Sequence, residues 1–132
     1  MNPEKAEYLS RRMANATKML AEVVDYQIEN QLWNTAVNRL YYACYYAVSA
    51  LLYSQDFNSK THSGTKRLFE EHFIKPGIIN TESANFYARL FGMRQNADYE
   101  NEIDYEREDV IILVQPAKDL IATIEAILAK ES

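Results

Sequence analysis

Two short stretches hold most of the residues able to do acid–base or phosphate chemistry. The first is Arg94-Gln95-Asn96-Ala97-Asp98-Tyr99. On a helix, Arg94 and Asp98 stand four residues apart on one face, where a guanidinium and a carboxylate can pair. The second centres on His62, with Lys60, Lys66 and Arg67 as the only local basic cluster. Histidine changes charge near physiological pH, so a His close to an Arg could move protons beside an anion. A third polar point, Asn38-Arg39, directly precedes Leu40-Tyr41-Tyr42. A guanidinium inside an apolar helix needs acceptors to offset its desolvation. Two readings stay open from the residues alone. Arg39, Arg94 and Asp98, with Asn38 and Tyr42 adjoining, form a buried polar network that fixes helix register. Alternatively, Arg94, His62 and Tyr99 build an anion or phosphate site.

Other chemistry finds little support. Glycine-rich phosphate loops, a Gly-x-Ser-x-Gly elbow and a His-Glu-x-x-His pair are all missing from the sequence. The two histidines, His62 and His72, are ten residues apart, and Cys44 is the single cysteine. No disulfide or cysteine-based zinc site follows, and Cys44 reads as a small buried hydrophobe. Acids at positions 98, 100, 102 and 104 have the spacing of a calcium loop, but Ile103 stands where its sharp turn needs glycine. No metal and no cofactor is expected. The net charge is −5, and seven acids between Asp98 and Asp109 face only Arg107. A broad electrostatic grip on nucleic acid needs many basic contacts, so only a small local phosphate site stays open.

The elements that must position these residues are helical. In 132 residues with 48% apolar content there are only 3 Gly and 3 Pro, too few for a turn-rich β domain. The length suits one domain, 1–132. A first helix is predicted from about Pro3, capped by Asn2, to about Glu29, with Leu9, Met13, Ala16 and Leu20 on its apolar stripe. A second runs from Leu32 to Ser54 and shows no clean polar face through its tyrosine-rich middle. It is therefore a central helix, or one also covered by a partner chain. A short third helix spans Gly64 to Ile74, capped by Thr61 or Ser63. A fourth follows the cap Thr81 to Ala97 or Tyr99. A fifth runs from Glu106 to Ala129, kinked or split by Pro116 near Gln115. The expected fold is all-α, an up-and-down bundle of four long helices plus one short helix. The sequence shows neither a hydrophobic leader nor a run long enough to span a membrane, so a cytoplasmic location is expected.

Three strings together resemble a known family. Ala36-Val37-Asn38-Arg39-Leu40-Tyr41-Tyr42-Ala43-Cys44-Tyr45-Tyr46-Ala47 is similar to the second-helix signature of HEPN domains (higher eukaryotes and prokaryotes nucleotide-binding). Thr61-His62-Ser63-Gly64 resembles the opening of their third helix. Arg94-Gln95-Asn96-Ala97-Asp98-Tyr99 resembles the Arg-x-x-Ala-Asp-Tyr of a small stand-alone prokaryotic subgroup. The resemblance implies a helical bundle that pairs into a homodimer, often in toxin–antitoxin systems beside a small nucleotidyltransferase. Many members are metal-independent endoribonucleases, whose site is an Arg, four to six arbitrary residues, then a His, assembled from two chains. There the Arg would stabilise phosphorane charge and the His would move protons.

This chain departs from that pattern, because Tyr99 stands where the His belongs and no histidine follows His72. With an ordinary pKa near ~10, tyrosine is a poor base at neutral pH. His62 substitutes only if the fold brings it to Arg94. The leading expectation is a HEPN-like dimeric module that binds a nucleotide, RNA or partner protein. The alternatives are a metal-independent endoribonuclease toxin using Arg94 with His62 or Tyr99, and a purely structural interaction module.

Overall fold

The structure, a computed structural model, describes residues 2–99 and 103–131, the side chains of Asp98 and Tyr99 excepted. It is an all-α bundle of four long helices and one shorter one. Helix α1 (Pro3–Glu22) starts where Asn2 Oδ1 accepts the Lys5 N–H at 2.7 Å, and it buries Leu9, Met13, Ala16 and Leu20. It continues as a π-helical stretch, Val23–Ile28. A stretch of 6 residues is too short for its wider period to show in the apolar pattern, so the sequence reads this end as plain helix. Gln31 then takes a left-handed φ of 59° and turns the chain into α2 (Trp33–Ser54). Only residues 29–32 join the two helices, so they pack antiparallel.

Helix α2 is the centre of the bundle and packs against α1, α4 and α5. Val37, Leu40, Tyr41, Cys44, Val48 and Leu51 are sealed from solvent. Each large aliphatic among them contributes about 1.5–3 kcal/mol by its removal from water. Burial pushes the Cys44 thiol up to about 12, as an inert core residue requires. The expected lack of a polar face needs correcting. Thr35 and Arg39 are exposed and Tyr42, Tyr46 and Ser49 half-buried, at alternating spacings of four and three that lead on to exposed Tyr53. The stripe is real, and its tyrosines hide it because each offers an apolar body with a polar tip.

Helix α3 (His62–Phe69) is launched by Thr61, whose Oγ1 accepts the Gly64 N–H at 2.9 Å. It ends in a second π-helical stretch, Glu70–Ile74. Helix α4 (Thr81–Tyr99) is capped one residue earlier than expected, since Asn80 Oδ1 accepts the Ser83 N–H at 2.8 Å. Helix α5 (Arg107–Glu131) runs unbroken through Pro116, so of the kink or split expected there the split does not occur. Proline removes the bond to the carbonyl four residues back, and that residue, Ile112, is 56% exposed, so water can take its place. Asn34 anchors the residues before α5: its Nδ2 donates to the Ile103 carbonyl at 3.0 Å, and its Oδ1 accepts the Tyr105 N–H at 2.9 Å. The Tyr105 hydroxyl donates to the Met93 carbonyl at 3.0 Å, tying the same segment to α4 beside Arg94.

Candidate functional site

His62 and Arg94 are brought together on one tyrosine. The Arg94 guanidinium carbon lies 4.9 Å from the centre of the Tyr41 ring and 6.0 Å from that of Tyr42. The His62 ring is 5.6 Å from both of those rings and 4.6 Å from Tyr45. Its Nδ1 is 2.9 Å from the Tyr41 hydroxyl. Each partner comes from a different helix: Tyr41, Tyr42 and Tyr45 from the middle of α2, His62 from the first residue of α3, Arg94 from the last third of α4.

Local sequence explains the placement. The Thr61 cap leaves His62 at the start of α3, and Gly64 keeps that start tight. A Cβ on Gly64 would come within 2.1 Å of Ser59 Oγ and 2.7 Å of the capping Thr61 Oγ1. The requirement here is close approach. Beneath Tyr41, the Tyr87 ring stacks at 5.8 Å and Phe91 meets it edge-on at 6.2 Å.

Burial and charge perturb Tyr41, Tyr87 and His62. Arg94 is 5% exposed, and Tyr41 is fully enclosed. Desolvation pushes Tyr41 up to about 12, offset in part by the neighbouring Tyr87 hydroxyl and the Arg94 charge. Tyr87 is raised well above its ordinary value, chiefly by burial. His62 is lowered by burial and then by the Arg94 cation, so its neutral form is favoured. The cluster thus sets a buried cation over aromatic faces, beside an imidazole whose neutral form is favoured.

Of the residues singled out from sequence, His62, Arg94 and Tyr42 meet here. Arg39 does not, since it is exposed on the tyrosine stripe and no buried network can include it. It lies one turn nearer the helix start, on the solvent face with Thr35. With half-buried Asn38, it lines a separate shallow cavity of about 300 Å³ bounded by Asn34, Thr35 and Ala97. The side chains of Asp98 and Tyr99 lie outside the described residues. The basic cluster around His62 is thinner than its sequence suggests, because Lys66 Nζ is engaged by Glu70 at 2.8 Å. Tyr41, Tyr45 and Tyr87 were not singled out as site residues. Their enrichment on α2 was visible, but nothing local tells a tyrosine under an arginine from a core tyrosine.

Comparison with known proteins fits this geometry. The model of the HEPN domain matches residues 10–127. The chain belongs to the HEPN family. A UPF0332 protein of Thermotoga maritima is 36% identical over 101 residues, covering 76% of each chain. A candidate toxin of Methanocaldococcus jannaschii is 31% identical over 106 residues, 80% of this chain and 71% of its own. A UPF0332 protein of Archaeoglobus fulgidus is 27% identical over 120 residues, 86% of this chain and 94% of its own. The HEPN match spans the three elements that build the Arg94 cluster. Among the described residues, no helix of this HEPN chain is long and apolar enough to cross a membrane.

Proposed function

We propose that this chain is a toxin-type HEPN module that works as a homodimer, beside a small nucleotidyltransferase, and holds an RNA phosphate at the Arg94–His62 cluster. The observation that carries the reading is the convergence of Arg94 and His62 on the Tyr41 ring from two different helices. Relatives named as candidate toxins support the toxin-type assignment. The half-exposed tyrosines beside His62 suit stacking of unpaired bases, which is tolerant of sequence.

The test is binding of a labelled single-stranded oligoribonucleotide to the full chain in chelator, followed by anisotropy. Wild type binds, His62→Gln binds about tenfold more weakly or worse, and Lys130→Ala is unchanged. Absence of binding by the wild-type protein overturns the proposal. A second reading, metal-independent RNA cleavage, is favoured by the same convergence, since it places an imidazole beside the retained Arg94 although Tyr99 occupies the usual His position. Cleavage in chelator that vanishes in Arg94→Ala and persists in Lys130→Ala would establish it.

A further inference from the structure

The hydrogen bond between the Tyr41 hydroxyl and Nδ1 of His62 has two directions, and the direction decides what His62 can do. A phenol with an ordinary pKa near ~10 is a better donor than a neutral imidazole N–H, and an imidazole nitrogen with a pKa near ~6.5 is a better acceptor than a phenolic oxygen. The surroundings push the same way. Tyr41, sealed in the core, keeps its proton, while His62 sits beside the Arg94 cation, which opposes a second positive charge. The neighbouring Tyr87 hydroxyl acts on Tyr41 as a donor to its oxygen, and a hydroxyl that accepts there still has its own proton to give to His62.

We propose that Tyr41 is the positioning residue of this site: it donates to Nδ1 of His62 and holds the imidazole neutral, with its remaining proton on Nε2. No described residue hydrogen-bonds Nε2, so the free edge of His62 is a donor edge. Among the described residues, the charged or titratable groups facing this imidazole are Tyr41, Tyr42 and Tyr45 from α2, Arg94 from α4 and, one turn along α3, Lys66 with its partner Glu70. None of these is a carboxylate in contact with the ring.

A histidine held in this way offers an N–H to a phosphate oxygen and has no open lone pair with which to take a proton. His62 is then a phosphate-binding donor, and a 2′-hydroxyl would need a different base. This consequence rests on the phosphate reading above. The tautomer itself does not, and it is tested without RNA.

The experiment is nitrogen NMR of the histidine side chains across pH in the full-length chain, wild type beside Tyr41→Phe. In neutral wild-type His62, Nε2 carries the proton and Nδ1 shows the shielding of a hydrogen-bonded acceptor. In Tyr41→Phe that shielding is lost and the His62 titration midpoint rises by about half a unit to one unit, because a donor that favoured the neutral ring is gone. A proton on Nδ1 in wild type, or a midpoint that falls in Tyr41→Phe, overturns the inference. Simple loosening of the core would raise the midpoint but would not change the Nδ1 signature. Should Tyr41→Phe not fold, the wild-type tautomer and its Nδ1 shielding still decide. Adding the oligoribonucleotide afterwards separates the two claims, since failure to bind counts against the proposed function whichever tautomer is found.

Discussion

Two arginines of this bundle lie over tyrosine rings of α2, one on the α1 side and one on the α4 side. On the α1 side, the Arg12 guanidinium carbon is 4.8 Å from the centre of Tyr46 and 5.7 Å from that of Tyr8. Tyr8 is 37% exposed and leans on Tyr53 at 4.9 Å, so the cluster is partly open to water, with Arg12 and Tyr46 half-buried and the Arg12 Nε itself covered. On the α4 side, Arg94 keeps similar distances to Tyr41 and Tyr42 but is buried. A cation over a ring is worth about 0.5–1 kcal/mol when exposed and about 2 or more when desolvated. The same contact is thus surface packing in one place and a strong local field in the other. The buried cluster also lowers the proton affinity of the histidine beside it.

The largest effect should come from removing the buried member. Arg94→Ala leaves a cavity over Tyr41, with an expected cost of about 2–4 kcal/mol in denaturant unfolding. Arg12→Ala should cost less than about 1 kcal/mol, since water fills its place. Equal costs would erase the distinction between the two sides.

Next in size is Gly64→Ala, which leaves both arginines in place. Its methyl collides with Ser59 Oγ and Thr61 Oγ1 and disrupts the cap that launches α3, at about 1–2 kcal/mol. His62 is then displaced from Tyr41, and its NMR titration moves up toward the ordinary histidine value. The α1-side rings should keep their resonances. A His62 titration identical to wild type would show that the cap does not position it.

A third comparison uses pH. The folded-state pKa of His62 lies below its unfolded value. Below the unfolded value near ~6.5 the unfolded chain therefore binds the extra proton first, and stability falls as pH drops. The contribution is fully present above that value. His62→Gln should flatten the decline in melting temperature between pH 7 and pH 5, whereas Arg12→Ala should leave its slope unchanged. Parallel slopes for wild type and His62→Gln would mean that the buried cluster does not couple to protonation.

The sequence made the fold readable because its signals are local. Asn2 and Thr61 cap where expected, and Leu9, Met13, Ala16 and Leu20 repeat at helical spacing on the inner face of α1. The π-helical ends stay hidden, because stretches of 6 and 5 residues are too short to show a change of period. Arg39 was misread because tyrosines at positions 42, 46 and 53 count as apolar although their hydroxyl tips can face water. For the site, the residue types were legible and their meeting was not. Thirty-two positions separate His62 from Arg94, and only the packing of α3 and α4 against α2 closes that gap. Asp98 and Tyr99 carried much of the sequence argument, and their side chains lie outside the described residues.

The smallest expected effect concerns a second charge on the α1 side and sharpens the same contrast. Lys5 Nζ lies 2.6 Å from Asp56 Oδ1, and the Asp56 side chain is 88% exposed. An ion pair this open should be worth at most about 0.5 kcal/mol, because water and salt screen it. Asp56 also holds a left-handed φ of 65°, which Asp and Asn tolerate and Ala does not. Asp56→Asn removes the charge and keeps that backbone preference, so unfolding in denaturant should change by about 0.5 kcal/mol or less, and by nothing in high salt. Asp56→Ala removes both and should cost about 1 kcal/mol more, independent of salt. If Asp56→Asn instead proved as costly as Asp56→Ala, the pair itself would be strong. Burial would then no longer be what separates the two sides of α2.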